Sequence, residues 1–362
     1  MHDVMIAGGG PAGLAAAIRS ARRGFRTLLI ERSASVPDKA CGEGLMPGGA
    51  SELEQLGVSV PGDRCAAFRG IRYLQEDGTT LEARFRGRPG IGIRRTVLGE
   101  ALRAAASAAG VEMRRASVGS AQPLGDFIRV ETDSGAFDAR LLLAADGLHS
   151  PLRHVAGLDR PRRFRGPLRF GVRRHFALPP WTDFVEVHWA AGVEAYVTPV
   201  GPATVNVALL RDRDAPADFA DLLARFPALR SRLGDAAPES ELRGAGPLMQ
   251  RARARWARRL ALIGDAAGYV DAITGQGLSL AFAASAMLMD LLPDDLSADL
   301  SPFLQQYDRR MRLPWLAYSL PATALVALSR KPSLRRATLR SVAAIPGAFS
   351  ALVRAVAMDV EW

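Results

Sequence analysis

The glycines near the N-terminus offer the first piece of chemistry. Gly8-Gly9-Gly10-Pro11-Ala12-Gly13 has the spacing G-x-G-x-x-G. Gly8 permits a tight turn, Gly10 lets backbone approach a pyrophosphate, and Gly13 lets the next helix sit close to the strand. A helix that begins at Pro11 and Ala12 points free N–H groups and the positive end of its dipole at bound phosphates. Proline is tolerated at that first position, where its missing N–H would have had no partner. Glu31, followed by Arg32, ends the next apolar run. A carboxylate at this distance accepts from two ribose hydroxyls and repels a 2′-phosphate, so the pattern fits FAD or NAD better than NADP.

Two later segments separate those cofactors. Asp146-Gly147-Leu148-His149-Ser150-Pro151 follows an apolar strand, with Ser150 placed to N-cap a helix that starts at Pro151. Gly264-Asp265-Ala266-Ala267-Gly268 follows Leu260–Ile263. Asp265 then lies at the carboxyl end of a parallel strand, where open α/β sheets bind ligands, and can accept from a ribityl hydroxyl. Gly275-Gln276-Gly277 opens a long helix whose N-terminus suits the negative charge of a reduced flavin. Taken singly, each segment is also an ordinary capped turn or a glycine-rich helix entry. Together they favour flavin.

In their order and spacing, the three motifs resemble those of the FAD-dependent monooxygenases of the aromatic-hydroxylase type and the related geranylgeranyl reductases, over roughly residues 1–310. The resemblance implies a Rossmann-like FAD-binding domain with an inserted substrate domain. It implies that Arg95, in Arg95-x-x-Leu98-x-x-x-Leu102, approaches the flavin diphosphate, and that Val118 offers backbone to adenine. Asp146 would serve both FAD and the route of a nicotinamide nucleotide. Cys41-Gly42-Glu43-Gly44 falls where the family's flavin-edge loop lies. A packed neutral thiol is the commoner state for such a cysteine than a redox one. Gly87–Gly92 and Gly244–Gly246 lack the strand–helix context of a second fingerprint, which implies that NAD(P)H visits as a transient co-substrate.

The resemblance leaves the flavin chemistry open. Val193-Glu194-Ala195-Tyr196-Val197-Thr198-Pro199 is collinear with the Tyr-x-Trp-x-Phe-Pro of prenyl reductases, but only the proline matches. That departure favours an NAD(P)H- and O2-dependent monooxygenase hydroxylating a hydrophobic phenolic or polyketide-like metabolite. The alternative is an ene-reductase acting on an isoprenoid or quinone. A flavin-binding scaffold or redox sensor is the alternative from another class. Flavin halogenases resemble the chain too, yet it lacks their Trp-x-Trp motif. For hydroxylation, His188 is the candidate general base and Tyr196 the candidate substrate hydrogen-bond donor. Their plainer readings are a half-exposed strand histidine and a core tyrosine.

These residues need particular elements to position them. Val4–Ala7, Pro11–Arg23 and Thr27–Ile30 read as a βαβ unit, and residues 49–56 and 98–109 as helices. Runs at 111–115, 127–132 and 140–144 read as strands. From 165 to 210 the pattern turns to short strands broken by Gly and Pro, which predicts an antiparallel sheet with Phe219–Phe226 as a helix riding on it. The fold class expected is α/β, with a three-layer FAD-binding domain on a parallel sheet (1–65, 94–162, 243–308), an inserted antiparallel substrate domain (66–93, 163–242) and a basic, apolar helical C-terminal segment (309–362).

The 362 residues suffice for a large core, and the two cysteines make no disulfide framework or metal spacing. No metal site is expected from the five scattered histidines. The +10 net charge is concentrated at 309–358, which holds nine Arg or Lys and no acid. No aromatic-interleaved basic platform accompanies it, which argues against a nucleic-acid partner. The chain opens into an apolar run without a basic leader, so a cytoplasmic protein is expected. Residues 313–354 pose two readings, a helical cover over the cavity or a peripheral contact with membrane; Pro314 and Pro321 are expected to interrupt the first apolar run.

Overall fold

A computed structural model describes residues 1–160 and 168–356. The expected domain boundary at 162/163 and the last residues of the C-terminal segment lie outside the described residues. Five parallel strands form the centre of an eight-stranded first sheet, in the order Leu260–Leu262, Gly135–Ala144, His2–Ala7, Thr27–Glu31, Glu112–Arg115, with Trp256–Ala257 antiparallel at the Leu260–Leu262 edge. Both faces of its central strand are buried, which accounts for the unbroken apolar run. Val4 and Ile6 meet the helices Pro11–Arg22, Arg95–Ala108 and Gly277–Leu291 through Leu14, Ile18, Leu102 and Leu288. Met5 and Ala7 pack on the other side with Ile128 and Val130. Those two belong to Phe127–Thr132, which with Val118–Leu124 folds back on the first half of Gly135–Ala144. Each such aliphatic side chain contributes about 1.5–3 kcal/mol through burial.

The second sheet runs Arg243–Ala245, Arg169–Ala177, Thr204–Asp212, Val193–Gly201, Phe184–Ala190, Gly70–Gln75, Thr80–Arg84. Arg243–Ala245, assigned from sequence to the FAD domain, is its edge strand. The sheet is antiparallel except where Phe184–Trp189 pairs parallel with Gly70–Gln75. Parallel neighbours need a long crossover. Here the chain between Gln75 and Phe184 makes it, passing through the first domain on the way.

Two helices, Phe219–Leu223 and Pro227–Leu233, cover one face of this sheet where one was expected. The break falls at Pro227, which holds Phe226 outside the helical region at φ −123°, ψ 72°. The other face meets the FAD domain. After Ser301–Arg310 come three helices, Arg312–Ser329, Pro332–Ala343 and Ala348–Val356. The first of them was expected to break at its prolines. It continues, because Pro314 sits in the first turn and the helix passes through Pro321. Among the described residues, no helix is long and apolar enough to cross a membrane.

Candidate functional site

The three glycine-bearing motifs meet at the carboxyl ends of adjacent parallel strands. Gly8 has φ +112° and donates its N–H to the Ile30 carbonyl at 2.8 Å. A Cβ on Gly8 would lie 2.4 Å from the Ala145 carbonyl oxygen, and one on Gly13 would lie 1.9 Å from the Gly8 oxygen. Glycine is thus required twice, for a positive φ and for helix–strand contact. Gly264 (φ +59°) also faces the first motif closely, with 2.7 Å between a built Cβ and the Ala12 Cβ. The second and third motifs therefore both abut the first.

Glu31 is anchored by this turn. Its Oε2 accepts from the Gly9 N–H at 2.7 Å and its Oε1 from the Ser33 N–H at 2.9 Å. The carboxylate is held rigid while each oxygen keeps a further lone pair. A cleft beside it is lined by Ser33, Arg103, Arg114 and Arg115. Arg32, the next residue, is exposed. Val118 opens the Val118–Leu124 strand, with its side chain packed against the apolar cluster of Ile128 and Val130.

On the other side of the turn, a Cβ at Gly10 would meet only Arg95 Nη2, at 3.7 Å. Glycine backbone, helix N-terminus and guanidinium thus enclose one open space suited to a diphosphate. The Arg95 N–H donates to Glu43 Oε1 at 2.8 Å, so the Cys41–Gly44 loop fixes where the arginine helix begins. Asp265 is exposed along a cleft that it lines with Gly264, Gly268 and Gly277. Desolvation by the protein around it raises its carboxyl, opposed by Arg95 and then Lys39. Lys39, exposed to solvent yet partly desolvated by the protein around it, is lowered first by that desolvation and then by Arg95. Burial also raises the Cys41 thiol, which stays neutral, against the opposing pull of Arg95.

Several buried polar atoms around this cleft have no partner. They are Asp146 Oδ1, Thr274 Oγ1 and both side-chain amide atoms of Gln276, a residue only 1% exposed. The other Asp146 oxygen accepts from Leu152 N–H at 3.1 Å, and Ser150 Oγ accepts from Arg153 N–H as the expected N-cap. Gly147 and Gly275 take positive φ, +88° and +66°, beside these groups. Gly277 begins the helix, whose first N–H groups lack intrahelical acceptors. Buried polar groups are ordinarily satisfied. A flat ligand edge that both donates and accepts, with hydroxyls on its linker, satisfies this set, so the residues fit FAD.

The second sheet is docked on this cleft by charged residues that motif reading missed. Glu43, held at φ +60°, pairs with His175 Nε2 at 2.6 Å. His175 Nδ1 lies 3.2 Å from Arg173 Nη1. Arginine can only donate, so Nδ1 accepts and the proton sits on Nε2, facing Glu43. Arg173 also pairs with Asp38, and Asn206 Nδ2 donates to the Cys41 carbonyl at 2.9 Å. Three contacts thus pin the 38–43 loop to the sheet. A second cluster centres on Arg169, which donates to both Glu194 oxygens and, through Nε, to Asp271 Oδ2 at 2.9 Å. Burial raises Asp271 to about 6, with Arg169 opposing and Glu194 adding to the rise.

The two catalytic candidates part company here. Tyr196 lies on the face toward the FAD domain, its hydroxyl 3.5 Å from the Ile273 carbonyl that precedes Gly275. Burial first, then the Glu194 charge, keeps it protonated. His188 was expected on that same face. It points the opposite way, with its ring against Phe226 and Nε2 at 3.4 Å from Glu186. Odd and even residues of a strand face opposite sides, and Val187 and Trp189 take the inner side. His188 is therefore not a base for this cleft.

The family model for the FAD binding domain matches residues 1–314. The chain belongs to this FAD-binding family. It is an FAD-dependent oxidoreductase. Among curated relatives, the menaquinone reductase of Mycobacterium tuberculosis is 28% identical over 83% of this chain and 79% of its own. Digeranylgeranylglycerophospholipid reductase 2 of Methanopyrus kandleri is 28% identical over 85% of this chain and 81% of its own. The FAD-binding fold also matches the flavin-dependent brominase Bmp2, with a TM-score of 0.84 at 17% identity over 98% of this chain and 93% of that one. A geranylgeranyl bacteriochlorophyll reductase-like protein from Thermoplasma acidophilum matches with a TM-score of 0.77 at 19% identity, covering 99% and 92%. At these identities the solved structures speak for the fold of this flavoprotein.

Proposed function

We propose that this flavoprotein is a reductase that adds hydrogen across a C=C bond in a lipid bearing an isoprenoid chain. One observation carries the choice over hydroxylation, and it is the place of Glu194. In sequence, Glu194 counts against an isoprenoid substrate because it stands where prenyl reductases have an aromatic residue. In the fold it is 0% exposed and serves as the counter-ion of Arg169. Its charge is spent on docking the sheet and says nothing against an apolar substrate. The inward face around it carries Tyr73, Val187, Trp189, Tyr196 and Leu210, a hydrophobic and aromatic set. A phenol hydroxylase is helped by a base at this face, and His188 is turned away from it. The two curated relatives support the same reading, since one is named a menaquinone reductase and the other a digeranylgeranylglycerophospholipid reductase.

In this reading the Gly8–Gly13 turn and Arg95 hold the diphosphate of FAD and Glu31 holds its ribose. Gly147 and Gly264 shape the turns that bring Asp146 and Asp265 to the linker hydroxyls. Gln276 and the helix N-terminus at Gly277 would hold the polar edge of the ring, and Gly42 would leave room for it beside the loop. Reduced FAD held by these residues would supply hydride chemistry for one alkene carbon, with NAD(P)H the proposed transient reductant. The other carbon needs a proton. Cys41 Sγ, kept neutral by burial on the flavin-edge loop, is the candidate donor. Tyr196 remains a neutral wall that orients the chain. The test is NAD(P)H oxidation driven by a polyprenyl lipid in oxygen-free buffer, with one equivalent consumed per double bond lost. Oxidation that proceeds only with O2 present, with oxygen entering the product, would return the account to hydroxylation.

A further inference from the structure

We propose that the outer face of the Arg312–Ser329 helix rests on an anionic lipid surface. From Leu313 to Ser329 this helix has no charged residue. Its inner face is buried through Pro314, Tyr318, Ala322 and Val326, spaced four apart. A surface helix ordinarily turns polar residues toward water. Here the outward positions are Leu313, Leu316 and Leu320, exposed by 68%, 45% and 64%, followed by exposed Ala324 and Ala327. Steps of three or four residues place all five on one stripe along the helix. No polar residue is among them.

A helix that is apolar all round belongs in a core or in lipid. This one is not long and apolar enough to span a membrane, which leaves a position in the plane of the interface. Charge selects the partner. Arg309, Arg310 and Arg312 are exposed before the stripe and Lys331 after it, and no acid occurs from 309 to 358. Arg312 reaches Asp308 only at 3.9 Å. A second copy of the chain would set the same positive charges against these, whereas anionic headgroups neutralise them.

The inner side of this helix backs the candidate site. Tyr318 Oη accepts from the Val270 N–H at 3.0 Å and donates to the Asp271 carbonyl at 3.1 Å. A lipid dissolved in the bilayer would therefore meet the protein one helix away from the loop that opens the Gly277 helix. The surface contact itself rests on the stripe and its charges, and not on the reductase reading.

The test is co-sedimentation of the FAD-loaded protein with vesicles at low salt. Vesicles of mixed phosphatidylglycerol and phosphatidylcholine are expected to pellet it, with binding weakened by added salt and in pure phosphatidylcholine. The double substitution Leu316→Glu with Leu320→Glu is expected to weaken binding about tenfold or more, with FAD content and circular dichroism unchanged because both side chains are exposed. The proposal is overturned if the protein stays in the supernatant with phosphatidylglycerol vesicles, or if the double variant binds as well as the parent. It is equally overturned if sedimentation velocity shows a dimer that the double variant splits while vesicles bind neither. Catalytic assays do not enter, so a failure here leaves the reductase reading standing, and the reverse.

Discussion

Asp271 shows how one buried carboxyl can report on the whole site. Its pKa of about 6 lies above the ordinary 3.8, so the folded protein holds this proton more tightly than the unfolded chain does. The contribution is fully present below pH 3.8 and is lost as pH rises through about 6. Asp271→Asn removes that slope, so the Tm of the variant is expected to rise relative to the parent between about pH 4 and 6; a constant difference across the titration contradicts this. His188→Ala is expected to leave turnover within about twofold of the parent, since the ring faces Phe226; a larger loss in steady-state kinetics would put His188 back in the site. Glu31 and Asp265 were legible in sequence because each stands at the end of an apolar strand run, Glu31 at a set distance from the Gly8–Gly13 turn and Asp265 directly after Gly264. His188 was not, because Phe184–Ala190 and Val193–Gly201 are buried on both faces. Alternation in hydropathy is erased there, and with it the sign of which side chains face the cofactor.

At the scale of elements, the phosphate turn works only while its helix touches its strand. Gly13→Ala puts a Cβ within 1.9 Å of the Gly8 carbonyl, backbone that cannot move aside without opening the turn. The FAD-to-protein absorbance ratio of the purified variant is expected to fall about tenfold or more; full FAD content would show that the turn is not the anchor. The βαβ unit and the long Gly277 helix were legible because local glycine, proline and periodicity signals agree there. The parallel junction of Phe184–Trp189 with Gly70–Gln75 was not, since its partners are far apart in sequence and nothing local marks the pairing. The Arg312–Ser329 helix overrode its prolines because packing through Tyr318 and Val326 outweighs one missing hydrogen bond.

For the whole molecule, the domains are joined by buried charge as well as by apolar contact. Arg169→Met strands Glu194 and Asp271 without a counter-ion and is expected to cost about 3–5 kcal/mol in urea unfolding. Adding Glu194→Leu should recover part of that loss, and no recovery would mean that Arg169 acts alone. None of this ion cluster was readable from motifs, because Glu194 looked like a substrate-facing residue until the fold paired it. In the proposed function, the apolar face so positioned serves alkene reduction. Its most direct test is one anaerobic turnover of the protein with its FAD already reduced, mixed with a geranylgeranyl-bearing lipid. Oxidised flavin absorbance is expected to return without O2, while mass spectrometry finds a product richer by two hydrogens. Flavin that stays reduced until O2 is admitted, with a product that has gained an oxygen atom, would contradict it.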